Sequence, residues 1–139
     1  MPGTSEISIW EQDGMYLSQT AGEPITLGQV VVIGSTDGYV NVAGSASTQP
    51  LGVAVAGYRT SRIATDGQIA SGAQVTVATR GICNVTCTGT VTRGELVQTD
   101  TAGTVKTLSL SAVGDVNKIV GFALSTGTAT TVKIKLMRG

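Results

Sequence analysis

Hydrophobic and polar residues alternate along most of this chain. Val132, Ile134 and Leu136 interleave with Lys133 and Lys135, and Val75 and Val77 flank Thr76. A period of two sends successive side chains to opposite faces of a strand. No window of about 11 residues carries the spacing of an amphipathic helix. The pattern predicts strands near 29–34, 39–43, 51–57, 74–79, 82–88, 95–99, 104–110, 118–125 and 131–137. In the last of these the aliphatic residues face a core and the two lysines face water, where they discourage stray edge pairing. Turns are marked by Asp13-Gly14, Asp37-Gly38 and Asp66-Gly67, and by Gly44-Ser45 and Thr88-Gly89.

One unit recurs within this pattern. It reads Gly28-Gln29-Val30-Val31 on to Gly38, Gly72-Ala73-Gln74-Val75 on to Gly81, and Gly94-Glu95-Leu96-Val97 on to Gly103. The first copy is followed by Leu51-Gly52-Val53-Ala54-Val55-Ala56 and the third by Val120-Gly121-Phe122-Ala123-Leu124-Ser125. A turn glycine, a strand, a second turn glycine and a return strand make a β-meander. The spacing is too irregular for a solenoid, so the repeat points to internal duplication in one compact domain. The expectation is an all-β barrel or sandwich built from meander units over residues 25–139. Residues 1–24 stand apart as an extended N-terminal arm. They hold the chain's one tryptophan, Trp10, with Met15 and Tyr16. Such an arm adds to a neighbour's sheet edge; the alternative is that Trp10 plugs one end of its own barrel. A second break runs from Gly57 to Ser71 and carries Tyr58, Arg59 and Arg62. It is too long for a hairpin, and reads either as a contact loop or as a solvated connection.

Composition narrows the class. A chain of 139 residues is one domain able to bury roughly two-thirds of its unfolded surface. Only 13% of its residues are charged and 4% aromatic, so the core falls to Val, Ile, Leu and Ala. Nine basic and nine acidic residues cancel, which leaves no electrostatic footprint for nucleic acid or anionic lipid. Near-neutrality also suits a protein that ends up packed in an assembly. No aliphatic run is long enough to span a bilayer, and the start, Met1-Pro2-Gly3-Thr4-Ser5-Glu6, does not resemble a signal peptide. Synthesis in a cytoplasm is the expectation.

The chemistry of catalysis is thin. There is no histidine, which removes the usual general base and the commonest metal ligand. Two cysteines cannot complete a zinc site. Cys83 and Cys87 fall on one face of a predicted strand, about 13 Å apart by strand rise. That is beyond the roughly 7 Å a disulfide allows, so buried reduced thiols are expected. Asp13, Asp37 and Asp66 precede glycines and serve turns, and Ser35, Ser71 and Ser111 have no base nearby. Gly34-Ser35-Thr36-Asp37-Gly38 lacks the lysine and helix of a phosphate loop. The chain reads as no enzyme, with no catalytic residue, metal or cofactor.

The run from Gly28-Gln29-Val30-Val31 through Pro50-Leu51-Gly52-Val53-Ala54, Gly72-Ala73-Gln74-Val75, Gly81-Ile82 and Gly94-Glu95-Leu96-Val97 to Val120-Gly121-Phe122-Ala123-Leu124 and Val132-Lys133-Ile134-Lys135-Leu136 resembles the small capsid decoration, or cement, proteins of tailed bacteriophages and related viruses. The resemblance covers residues 25–137 and consists of glycine and aliphatic patterns. It implies a compact β-fold on the outside of an assembled capsid, bound to the major capsid protein, commonly as a homotrimer, and stiffening the lattice. It brings no catalytic residue with it. Trp10 and Tyr16 in the arm, with Tyr58, Arg59 and Arg62 in the long loop, are the candidate partner-binding residues, since aromatic and arginine side chains dominate buried interfaces. The competing reading is a carbohydrate- or receptor-binding β-module, such as a head-fibre or adhesin domain, using Tyr39 with Asn41, or Tyr58 with Arg59.

Overall fold

The computed structural model describes residues 15–57, 68–111 and 113–137. Its strands are β1 (Met15–Ala21), β2 (Ile25–Thr26), β3 (Val30–Ile33), β4 (Tyr39–Val42), β5 (Gly52–Gly57), β6 (Gln68–Ile69) and β7 (Gln74–Thr86). There follow β8 (Thr90–Val91), β9 (Leu96–Thr99), β10 (Val105–Thr107), β11 (Ile119–Ala123), β12 (Gly127–Thr128) and β13 (Thr131–Leu136). Short 3-10 turns lie at Thr101–Gly103 and Val113–Lys118. The fold is all-β, as the alternating pattern predicts.

Nine strands form one sheet in the order β10-β9-β11-β13-β7-β1-β4-β3-β5, and β5 returns to pair with β7. That return closes a five-stranded barrel of β7, β1, β4, β3 and β5. The other strands run from the far half of β7, where Gly81 to Thr86 pair with β13. They curl back as well: Cys87 bridges Val105 in parallel, and Thr88 N donates to Val105 O at 2.8 Å. A second barrel-like ring results, and the 13-residue strand β7 serves both.

The two rings are copies. In the first, β1, β3, β4, β5 and the start of β7 follow in chain order; in the second, the end of β7, β9, β10, β11 and β13 do the same. Val31 pairs with Gly52 as Val97 pairs with Gly121, and Val53 with Ala78 as Phe122 with Lys135. Leu17 pairs with Val77 as Cys83 pairs with Ile134. The parallel pair Ala21–Val40 has its counterpart in Cys87–Val105. Even the small pairings repeat, β2 with β6 and β8 with β12.

Sequence explains why both copies fold alike. Thr26-Leu27-Gly28-Gln29 and Thr92-Arg93-Gly94-Glu95 make the same turn, closed by Gln29 N to Thr26 O (3.1 Å) and Glu95 N to Thr92 O (3.0 Å). Gly28 and Gly94 supply the positive φ, +96° and +95°, that this turn requires at its third position. In each, the following side chain accepts from the turn's first backbone N–H: Thr26 N donates to Gln29 Oε1 (2.8 Å) and Thr92 N to Glu95 Oε1 (2.7 Å). A Cβ on Gly52 would strike the Ala78 carbonyl oxygen, and one on Gly121 the Lys135 carbonyl oxygen. Both return strands therefore need glycine at the same crossing.

Two clusters form the core. Ala21, Ile25, Val31, Val40, Ala54, Ile69, Val75 and Val77 fill the first barrel. The larger cluster fills the second with Val91, Val97, Val105, Ala123, Val132 and Ile134, and also takes in Val30, Val53 and Ala78 from the outer face of the first. A buried valine is worth about 1.5–3 kcal/mol, so these aliphatic stacks supply the stability that aromatic residues supply elsewhere.

Two expectations are corrected. Gly81 is no turn between strands 74–79 and 82–88; it lies inside continuous β7, where its φ of +103° re-aims the strand from one ring to the other. Residues 1–24 do not form an arm up to residue 24, because Met15–Ala21 is a strand of the first barrel, paired with β7 and β4. Its Tyr16, Ser18 and Thr20 alternate with Leu17, Gln19 and Ala21, and only Ala21 is fully buried, so its signal was weak. Residues 1–14 lie outside the described residues.

Candidate docking surfaces

The halves meet along a seam built from the β9–β10 hairpin. Gln29 Nε2 donates to Ala102 O at 3.0 Å, Gly103 N to Ala43 O at 2.8 Å, and Thr99 Oγ1 to Ser47 O at 2.9 Å. Gln49 N donates to Asn117 O at 2.6 Å. Gly103 fits so closely that a Cβ would fall 2.6 Å from Gln29 Cβ. Beside this seam lies a cleft of about 420 Å³, lined among others by Thr26, Gln29, Asn84, Thr86, Thr104 and Thr131. No lining side chain is an acid or a base, so the cleft offers hydrogen bonds without a group to move a proton.

Two carboxylates among the described residues serve the scaffold. Asp115, buried, accepts from Ser111 N (2.9 Å) and Ser111 Oγ (3.2 Å) and sits 3.4 Å from Lys118 Nζ, fastening the 3-10 turn before β11. Asp100 accepts from Thr88 Oγ1 where the second ring closes. Cys83 and Cys87 are free and buried, as expected from their spacing, and burial raises the Cys83 thiol pKa. Cys87 Sγ lies 3.6 Å from Gly89 O and 3.8 Å from Gly127 O. Among the described residues no three His, Cys, Asp or Glu side chains gather as a metal site.

Of the residues singled out for partner binding, Tyr16 lies on β1 and is 63% exposed, opposite Ala78. It belongs to the barrel wall and not to an arm. Trp10, Tyr58, Arg59 and Arg62 lie outside the described residues. Tyr39 is exposed at the start of β4, while the Asn41 side chain turns onto Gly22.

Sequence reasoning missed two other apolar surfaces. The β3–β4 hairpin exposes Ile33, at 70%, opposite Val40, with Tyr39 exposed on the other face of the same hairpin. The outer face of the second ring carries Leu96, Phe122, Lys135 and Ile82 as successive cross-strand neighbours, with Ile82 at 61%. Only the strand register reveals it: Ile82 and Phe122 fall beside Lys135 on the wet face, where threonine would be ordinary.

A family described as "Structural cement protein (E217 gp24/Pam3 gp6)", of phages, matches residues 5–137. No curated protein matches the chain. Among solved structures, the N base of the head fibre protein gp8.5 of bacteriophage phi29 is similar, with a TM-score of 0.61 and 15% identity. The alignment covers 91% of this chain and 96% of that one. At this identity the likeness is one of fold.

Proposed function

The chain belongs to the phage structural cement protein family, and on that premise we propose that it binds the exterior of an assembled capsid lattice, contacts the major capsid protein and stabilises the shell as a homotrimer. Cement is a structural task and needs no reaction centre. The observation that carries the proposal is the family match over residues 5–137, which takes in both rings. The physics fits. Two barrels sharing one strand make a rigid block, and zero formal charge lets many copies crowd on a shell without mutual repulsion. Weak contacts repeated over a lattice add up to durable attachment. The same neutrality argues against a role in holding the genome directly. Among the described residues no helix is long and apolar enough to cross a membrane. Synthesis in the host cytoplasm completes the proposed route to the virion.

Trp10, Tyr16, Tyr58, Arg59 and Arg62 are the proposed capsid contacts, because desolvated aromatic and arginine side chains carry most interface energy. Binding only the assembled lattice stabilises it by mass action. Heating particles with and without the protein, and following genome release, tests this. Release is expected at a lower temperature from bare particles. Equal temperatures at full occupancy overturn stabilisation and favour display or adhesion, a role consistent with the fold shared with a head fibre protein. Glycan binding would then be sought first at Tyr39.

A further inference from the structure

The duplication gives each ring the same outer face. The first ring's is covered at three of four cross-strand positions, while its fourth, Tyr16, is as exposed as its counterpart Ile82. In the first ring, cross-strand neighbours Val30, Val53 and Ala78 are at most 2% exposed. They lie in one cluster with Val97, Val105 and Val120 of the second ring, which packs on them. The covering end is the β9–β10 hairpin, bonded through Thr99, Ala102 and Gly103 to Ser47, Gln29 and Ala43.

In the second ring the corresponding row is Leu96, Phe122 and Lys135, with Ile82 one strand further. Leu96 is 38% exposed, Ile82 61%, and Phe122 half-buried. Leu108, whose N donates to Leu96 O as Ala43 N does to Val30 O, is half-buried beside them. The covering hairpin also has an uncovered duplicate. Where the second ring presents Thr99 and Thr104, the first presents Ile33, 70% exposed, and Tyr39, 37% exposed. Charge agrees: the β3–β4 hairpin carries Asp37, and the open face holds Lys135 between Phe122 and Ile82, with Lys133 two residues along the same strand. An apolar face and an apolar hairpin stand at opposite ends of one duplicated plan.

We propose that a second copy of this chain docks head to tail, its Ile33–Tyr39 hairpin seated on the Ile82, Leu96 and Phe122 face of the first. The contact repeats between chains the packing that joins the two rings within one. Such a contact is heterologous, so it closes into a ring or continues as an open row; a ring of three gives the homotrimer proposed above, and the inference rests on that reading of the protein as an oligomer.

The test uses the full chain without capsids, by sedimentation or native mass spectrometry up to about 1 mM, the range of weak contacts. Ile33→Glu and Ile82→Glu each place a carboxylate at an exposed position, and unchanged circular dichroism confirms that both fold. Each is expected to weaken self-association at least about tenfold. Mixed together, they are expected to restore one dimer, because one retains an intact face and the other an intact hairpin. A wild type that stays monomeric, variants that associate unchanged, or a mixture that fails to pair overturns the proposal. Capsid attachment by a protein that fails these tests leaves the cement reading in place, and self-association by a protein that does not attach does the reverse.

Discussion

The two rings share a backbone plan and differ in what lies on it. At three positions of one outer row the first ring has Val30, Val53 and Ala78; the second has Leu96, Phe122 and Lys135. Small aliphatic side chains appear where a neighbouring barrel presses down, and larger or charged ones where none does. Interiors tell the opposite story. Val31 corresponds to Val97, Ala54 to Ala123 and Val75 to Val132, all buried. Duplication has held these interior positions fixed and let the outer row diverge with its surroundings. Outer-face chemistry is thus a record of contact, and interior chemistry a record of fold.

The largest effect is expected from removing a strand of one ring only. Deleting residues 1–20 takes away nearly all of β1, which pairs with both β7 and β4. The first barrel then has an open edge and loses its closure. Cooperative melting and the β-sheet circular dichroism are expected to collapse, and because Val30, Val53 and Ala78 also belong to the second ring's cluster, the loss should not stay local. A truncated protein that melts as sharply as the intact one would mean that β1 is dispensable after all.

A smaller perturbation asks whether the copies are energetically alike. Gly52→Ala and Gly121→Ala each drive a methyl group into a backbone carbonyl, of Ala78 and Lys135 respectively. No side-chain rotation relieves such a clash, so each should cost about 2–4 kcal/mol in urea denaturation. Equal costs within about 1 kcal/mol would confirm equivalent crossings. A much cheaper Gly121→Ala would show that β11 slides over β13 more easily than β5 over β7, as the open outer face of the second ring allows.

The sequence made the duplication legible because turns and interiors are fixed by steric demands that few residues meet. Gly28 and Gly94 announce the turn, and Gly52 and Gly121 the crossing, each with valine or alanine near by. The fold class followed from period two alone. Three things were hidden. β1 mixes Ser18, Gln19 and Thr20 with Tyr16 and Leu17, so its alternation is blurred, and its place is set by partners far along the chain. Gly81 looked like another turn glycine, because a bulge and a turn both call for positive φ. The apolar faces at Ile33 and Ile82 were invisible for a different reason: nothing local distinguishes an exposed isoleucine from a buried one until the strands are placed. Of the residues singled out as contacts, Tyr16 alone falls within the described structure, exposed but fixed in a barrel wall.

The smallest effect concerns a thiol that only one ring possesses. Cys83 pairs with Ile134 where Leu17 of the first ring pairs with Val77. Leu17 is 41% exposed and Cys83 is buried in the large cluster, so the same position is wet in one copy and dry in the other. Burial raises the Cys83 pKa by penalising the thiolate. For an acid whose folded pKa lies above its unfolded value, the folded state holds the proton longer. The stabilisation is therefore complete below the unfolded value of about 8.5 and is lost as pH rises through the folded pKa. Stability should decline gently above about pH 8.5, and Cys83→Ala should remove part of that slope at the expense of a small cavity. Alkylation should follow the same logic, with Cys83 reacting slowly until denaturant opens the second ring. Rapid labelling of Cys83 in the native protein at neutral pH would show that the second ring opens readily without denaturant, so that its buried packing does not imply a slow opening.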